Sequence, residues 1–295
     1  MRNHIFVLSI GKLHLATVFH TTIGAMATRL DLVIPGISGK QGGSVVLKIR
    51  TELNRLENLL NPYHSESIIS RVNRFAYYHE VEIGSELIHL LRQCIQYVQL
   101  SKGLFDISML QTKQILKEHG CYDDVDFMHR QASTITSIIL NEEKNTVRFL
   151  APDVQIDTGA FGKGYALDRI RTILLEEGLS NAFVSFGESS LLGMGRHPSG
   201  NAWQIRLNVP GKDEKCEISS TQEQNVHIIN PKTRKAVNTF GMVAVVAKSG
   251  LEAEALSTAL FLADPDDYQS IMRSFNGSLA YRLMSDKTGN IIRYS

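Results

Sequence analysis

Three short segments carry residue types and spacings that can do chemistry. The first is Asp157-Thr-Gly-Ala-Phe-Gly-Lys-Gly-Tyr-Ala-Leu-Asp168, which sets Gly159, Gly162 and Gly164 between a short apolar run and a helical pattern. Glycines at such a junction adopt dihedrals closed to other residues and let backbone N–H groups come close to a ligand. The start of the following helix favours an anion, and Lys163 adds a positive charge, so the chemistry on offer is the holding of phosphate. The spacing is neither the dinucleotide G-x-G-x-x-G nor the G-x-x-x-x-G-K-[ST] loop. A turn that needs glycine for conformation alone reads the same way.

The second segment is Glu254-Ala-Leu-Ser-Thr258. Four residues apart on a helix, Glu254 and Thr258 project from one side. Their carboxylate and hydroxyl are hard oxygen donors suited to Mg²⁺. An ordinary solvated face reads the same, and Glu252 offers a second acid nearby. The third is His227-Ile-Ile-Asn-Pro-Lys-Thr233, where a histidine ends an apolar run before an Asn-Pro turn. An imidazole there can act as a general base near neutral pH, or serve as a hydrogen-bonded structural group. None of the other histidines forms an H-x-x-x-H pair on a helix, which argues against zinc.

The elements that must position these residues follow from hydrophobic periodicity. Residues 15–34 alternate and are rich in Thr, Val and Ile, predicting a strand or hairpin, with a Gly-rich turn over Pro35–Gly43. From Ser44, a candidate N-cap, the apolar positions Val45, Val46, Ile49, Leu53, Leu56 and Leu60 recur at helical spacing, and Pro62 follows the end. Ser85 is the candidate cap of a second helix whose apolar face carries Ile88, Leu91, Ile95 and Val98 and which Gly103 ends. A hairpin is expected over Ile135–Leu140 and Thr146–Leu150, and a short strand over Val154–Asp157. A helix through Ala166, Ile170 and Leu174 ends at Gly178. Ala182–Phe186 and Trp203–Val209 read as strands, and the apolar run Met242–Ala247 as a buried one. A helix starts near Leu251, and a last hairpin joins Leu279–Met284 to Ile291–Tyr294 around Lys287–Asn290. Strands and helices without a regular βαβ rhythm make the class α+β, with mixed or antiparallel sheets packed with helices.

Composition bounds the function. The chain has 295 residues, 43% hydrophobic and 21% charged, as in ordinary globular proteins. A net charge of +1 gives no general pull toward nucleic acid or anionic membranes, so no nucleic-acid partner is expected. Cys94, Cys121 and Cys216 show no metal-ligand spacing and no disulfide framework; Cys94 falls in a helical pattern and reads as a small buried hydrophobe. No apolar run is long enough to be a transmembrane segment. Ala25-Met26-Ala27 has the form of an A-x-A cleavage site, but Lys12, His14 and His20 interrupt any apolar region before it and there is no lipobox cysteine. The expectation is a cytoplasmic chain, with export as the alternative.

In their order along the chain, six motifs resemble those of the ApbE family of FAD:protein FMN transferases. Ala25-Met26-Ala27-Thr28 is similar to A-M-G-T, Ser67-Ile-Ile-Ser-Arg-Val-Asn73 to S-x-x-S-x-x-N, and Gly103-Leu-Phe-Asp106 to G-x-F-D. Asp157–Asp168 resembles D-x-G-x-x-x-K-G-Y-x-x-D, the most specific of the six. His227–Thr233 resembles H-I-x-D-P-x-T-G, and Ala253–Thr258 resembles A-D-A-x-x-T. The resemblance implies one ApbE-like domain over residues 1–295. It implies cleavage of FAD at its diphosphate, transfer of FMN to a Thr or Ser hydroxyl of a target flavoprotein bearing a D-x-x-[ST]-G-A-T-like segment, and release of AMP.

By the same resemblance, Mg²⁺ would be held by the Ala160 carbonyl, Glu254 and Thr258. Lys163 and the loop backbone at Gly162 and Gly164 would hold the dinucleotide, and Asp168 would shape the flavin or adenosine pocket. Met26, Asn73, Asp106 and Gly187 would line the FAD cleft, and His227 would assist deprotonation of the acceptor. Several positions depart from the family pattern. Ala27, Glu188 and Arg234 stand where the family has glycine, Asn230 where it has Asp, and Glu254 where it has the metal-site Asp. Two other readings accommodate these departures: a paralogue that binds FAD without transferring it, and hydrolysis of FAD to FMN and AMP.

Overall fold

Alternating Thr, Val, Leu and Ile residues build β1 (Val18–Ala25) and β2 (Thr28–Pro35), paired antiparallel in full register from Val18–Pro35 to Ala25–Thr28. The computed structural model describes residues 17–119, 134–205, 228–237, 241–285 and 291–294. They form two compact units: the described parts of Met1–Asn58, Gly162–Pro210 and Ser249–Leu251 in the first, and those of Leu59–Phe161, Gly211–Lys248 and Glu252–Ser295 in the second.

In the first unit, β2 is followed by helix α1 (Gly39–Leu60). It begins five residues before the predicted Ser44, and Gln41 N–H donates to Ser38 Oγ at 3.2 Å. Of the four glycines that suggested a turn, Gly36 is in one, with φ 79°, while Gly39, Gly42 and Gly43 lie inside this helix. Gly42 is needed there for packing, because a Cβ would sit 2.6 Å from Cγ of Phe19 on β1. The apolar face is the predicted one, with Val45, Ile49, Leu53, Leu56 and Leu60 buried. Helix α5 (Gly162–Glu176) packs on β6 (Ala182–Phe186) and β7 (Ser190–Met194). The sheet order is β1-β2-β6-β7, antiparallel throughout. Leu30, Leu32 and Ile34 of β2 point inward at the strand period of two, and every residue of β6 is buried. Each such Leu or Ile contributes about 1.5–3 kcal/mol by leaving water. Residues 203–205 of the predicted Trp203–Val209 strand are irregular, and the rest lie outside the described residues.

The second unit holds α2 (Ile68–Phe75), β3 (Val81–Glu82), α3 (Gly84–Leu100), α4 (Leu110–His119), β4 (Ile138–Asn141) and β5 (Thr146–Phe149). The strands form an antiparallel sheet of order β3-β5-β4 on which α3 packs. Helix α3 starts at Gly84 without a side-chain cap, so Ser85 lies in its first turn. Cys94 is fully buried, which pushes its thiol pKa up; Cys121 and Cys216 lie outside the described residues. A 3₁₀ turn at Ile135–Ser137 replaces the first half of the predicted Ile135–Leu140 strand. Val154–Asp157 makes one parallel bridge, Gln155 with Met109, instead of a strand.

After β8 (Gly241–Val246) the chain enters α6 (Gly250–Leu262) and α7 (Pro265–Ser274), then β9 (Leu279–Ser285) and β10 (Ile291–Tyr294). Among the described residues the sheet order is β10-β9-β8 with β8 at an edge; the apolar run expected to be buried is half-buried, and Val246 is 61% exposed. The pairing of β9 with β10 matches the predicted last hairpin, whose turn lies outside the described residues. Among the described residues no helix is long and apolar enough to cross a membrane. The architecture is α+β, with antiparallel sheets and helices.

Candidate functional site

In the first unit the site is built at the turn ends of the four-stranded sheet. Ala25 pairs with Thr28, leaving Met26 and Ala27 as a two-residue hairpin loop. Both have positive φ, 48° and 57°, the arrangement of a type I′ turn that ordinarily calls for Asn-Gly. Met26 N–H donates to Glu57 Oε1, which fixes the turn onto α1. Beside it, Gly187 follows β6 with φ +61°; a Cβ there would lie 3.1 Å from Thr28 Oγ1 and 3.5 Å from Lys163 Cδ. Only glycine combines that φ with that approach. The sequence-predicted Met26, Lys163 and Gly187 are therefore brought together around Thr28.

Lys163 Nζ donates to the neutral hydroxyl of Ser189. Glu188, with φ 60°, turns its carboxylate to Arg29 Nη2 at 3.3 Å. Gly162 opens α5 and is buried, yet a Cβ there would meet nothing within 4 Å, so there is open space beside the loop backbone. Gly164 and Asp168, four residues apart on α5, face α6. Asp168 Oδ1 accepts from Gly250 N–H at 2.6 Å and Oδ2 from Leu251 N–H at 3.1 Å. A Cβ on Gly250 would lie 2.9 Å from the Gly164 carbonyl carbon and closer still to its oxygen.

In the second unit, Asn73 and Asp106 support the start of the glycine-rich loop. Asn73 Nδ2 donates to Ile156 O at 3.0 Å, and its Oδ1 accepts from Ile156 N–H at 2.7 Å. Asp106 is buried, and its Oδ1 accepts from both N–H and Oγ of Ser108 at 2.7 Å. Asp157 N–H donates to Ile107 O at 2.7 Å, which ties the two segments together. Asp157 then caps the 3₁₀ turn Thr158–Ala160 by accepting from Gly159 N–H at 2.9 Å, while its other oxygen takes Lys113 Nζ at 2.9 Å. Thr158 Oγ1 donates to Leu60 O at 2.8 Å. Sequence reasoning passed over Lys113, which lies on α4 with no motif to mark it. It also passed over Gly250, whose place at a helix start is a legible sign of close approach.

Glu254 and Thr258 stand one turn apart on α6, both half-buried. The neighbouring acid Glu252 accepts through Oε1 from Ser278 Oγ at 2.5 Å. The Ala160 carbonyl, the Glu254 carboxylate and the Thr258 hydroxyl are all hard oxygen donors, of the chemistry that suits a cation such as Mg²⁺. Among the described residues no three His, Cys, Asp or Glu side chains form a metal-holding group.

His227 lies outside the described residues. The turn after it is described. Asn230 Oδ1 accepts from Lys232 and Thr233 N–H at 2.9 and 3.3 Å, and Asn230 O accepts from Arg234 N–H at 2.7 Å. Arg234 has φ 58° and sends Nη1 to Thr112 Oγ1 at 3.0 Å. Burial lowers its pKa, against the pull of Asp106 and Asp153.

Comparison with known proteins gives the family and the fold. A family model described as the ApbE family matches residues 26–283. The FAD:protein FMN transferase of Escherichia coli K12 is 22% identical over 279 residues, covering 84% of this chain and 79% of that protein. The one from Chlamydia trachomatis serovar D is 25% identical over 229 residues, covering 70% and 72%. Among solved structures, the flavin transferase ApbE from Vibrio cholerae superimposes with TM-score 0.81 at 17% identity, covering 95% of this chain and 97% of that one. The apo flavinyl transferase ApbE from Pseudomonas stutzeri gives 0.79 at 20% identity, covering 95% and 94%. The fold is theirs, the matched segment spans most of the chain, and the chain belongs to the ApbE family of FAD:protein FMN transferases.

Proposed function

We propose that this chain moves FMN from FAD to a threonine or serine hydroxyl of a target flavoprotein, in a Mg²⁺-dependent reaction that releases AMP. One observation supports a loop that receives a diphosphate. The acid that departs from the family beside the loop, Glu188, pairs with Arg29, while Lys163 rests on the neutral Ser189. The added acid is thus engaged by an arginine and not by the loop lysine.

The acceptor oxygen forms a bond to the phosphorus of the FMN half, the bond from that phosphorus to the AMP phosphate oxygen breaks, and AMP leaves. His227 takes the acceptor's proton. Phosphoryl transfer depends on positioning and charge neutralisation, which Lys163 and the backbone beside Gly162 provide. Bound at the Ala160 carbonyl, Glu254 and Thr258, Mg²⁺ supplies neutralisation of diphosphate oxygens. Met26 and Gly187 shape the first unit's surface for FAD, Met26 through its strained turn, and in the second unit Asn73 and Asp106 brace the start of the loop.

The test is the intact mass of an acceptor domain carrying a D-x-x-[ST]-G-A-T-like segment after incubation with FAD and Mg²⁺. A gain of one FMN is expected. Unmodified acceptor with FMN and AMP released would replace transfer by hydrolysis. FAD that stays whole and co-elutes with the protein would leave a binding protein.

A further inference from the structure

We infer that Asp168 is a positioning residue for the helix that bears Glu254 and Thr258, acting with Gly164 as one clasp on the first turn of α6. This inference rests on the proposed function, which places the metal on that helix. The leading N–H groups of a helix have no partner inside it. Those of Gly250 and Leu251 are met by the two oxygens of one carboxylate, 82 and 83 residues away in sequence. Such bonds are charge-assisted, and the negative charge sits at the positive end of the helix dipole.

The second half of the clasp is steric. Gly164 lies one turn before Asp168 on the same side of α5, and its carbonyl group occupies the place a Cβ on Gly250 would need. Two glycine backbones therefore meet where the carboxylate closes on the helix end. The lysine-glycine pair and the final Asp of the loop thereby divide their work. Lys163 faces Ser189 and Gly187, while Gly164 and Asp168 face α6. Both carboxylate oxygens are engaged with backbone, so Asp168 acts on the reaction through the helix it holds.

The test uses the full chain with Mn²⁺ as the probe, its affinity in the presence of FAD read by electron paramagnetic resonance. Hydrogen exchange is followed in parallel over residues 250–258. Asp168→Ala is expected to weaken Mn²⁺ about tenfold, in keeping with the loss of charge-assisted hydrogen bonds, and to speed exchange in that segment. Asp168→Asn keeps one accepting oxygen and should fall between, and it decides the matter if the alanine variant does not fold. Gly250→Ala, which leaves the carboxylate in place, should weaken Mn²⁺ as well. Glu254→Gln reports separately on the metal's location. If it loses Mn²⁺ while the folded Asp168 variants bind as wild type does, the positioning role is overturned and the proposed metal site stands. If Glu254→Gln binds Mn²⁺ unchanged, the metal is not on α6 and both readings fall.

Discussion

Replacing Ala27 by glycine should stabilise this protein, and the same change at Glu188 and Arg234 should not do so equally. All three stand where the ApbE family has glycine, and all three have left-handed φ: 57°, 60° and 58°. An L-residue held there costs about 1–2 kcal/mol. Glycine removes that cost but gives back about 0.4–1 kcal/mol through the freer unfolded chain. Ala27 is exposed on a two-residue turn, so little packing is lost, and Ala27→Gly should gain about 1 kcal/mol. Glu188→Gly loses an exposed pair with Arg29 worth about 0–1 kcal/mol, leaving a smaller gain or none. Arg234→Gly loses a charged hydrogen bond to Thr112 at a half-buried site, about 1.5–3 kcal/mol, and should be neutral or destabilising. Urea unfolding of the three variants gives the ranking. A destabilised Ala27→Gly, or three equal changes, would refute the claim that strain at these positions is offset by side-chain contacts.

Gly187→Ala should cost about 1–3 kcal/mol, because its Cβ must enter the space of Thr28 Oγ1 at a left-handed φ; an unchanged melting temperature would contradict this. Glu52 is held at about pKa 2 by Arg55, with help from Arg169, against an ordinary 4.5. A depressed carboxyl gives stability that is complete above pH 4.5 and is lost as pH falls toward 2, so Glu52→Gln should flatten the acid limb of a stability–pH curve. Thr258→Ala should raise the Mg²⁺ concentration needed for FMN transfer while leaving thermal unfolding alone; an unchanged Mg²⁺ titration would remove Thr258 from the metal. Glu254→Asp restores the shorter family acid. Since Mg²⁺ demands near-ideal octahedral geometry, the variant should favour Mg²⁺ over Mn²⁺ more than wild type does, and an unmoved ratio of the two transfer rates would count against it.

The helices were legible where burial sets the pattern, as in the face Val45, Ile49, Leu53, Leu56 and Leu60. They were misread at their ends, where glycine reports packing as readily as turning: Gly42 is inside α1 because Phe19 lies against it. Helices α2, α4 and α7 are eight to ten residues long, which gives periodicity few turns to show itself. The apolar run of β8 looked enclosed, but enclosure depends on sheet order, and among the described residues β8 is an edge strand. At the candidate site, the partners of the residues were not legible. Asn73 and Asp106 bond to backbone and to Ser108, and Asp168 bonds to the end of a helix 82 residues away. Spacing cannot reveal a partner at that separation.

The departures from the family pattern have a common physical form. At Ala27, Glu188 and Arg234 the glycine is gone but the backbone dihedral that glycine makes easy is kept. Two of these side chains find new partners, Arg29 for Glu188 and Thr112 for Arg234. Asn230 follows the same rule, since its Oδ1 receives the N–H groups of Lys232 and Thr233, a task an aspartate oxygen would do equally. The charge lost at Asn230 was not needed for the turn, and the charge added at Glu188 is paired with Arg29 rather than with Lys163. What these positions maintain is therefore backbone shape around the loop. Glu254 differs in kind, because its change alters the reach of a side chain whose helix is clasped at its first turn by Asp168. A held backbone cannot move to absorb an extra methylene, so on the proposed function that difference would be taken up at the carboxylate oxygen offered to the metal.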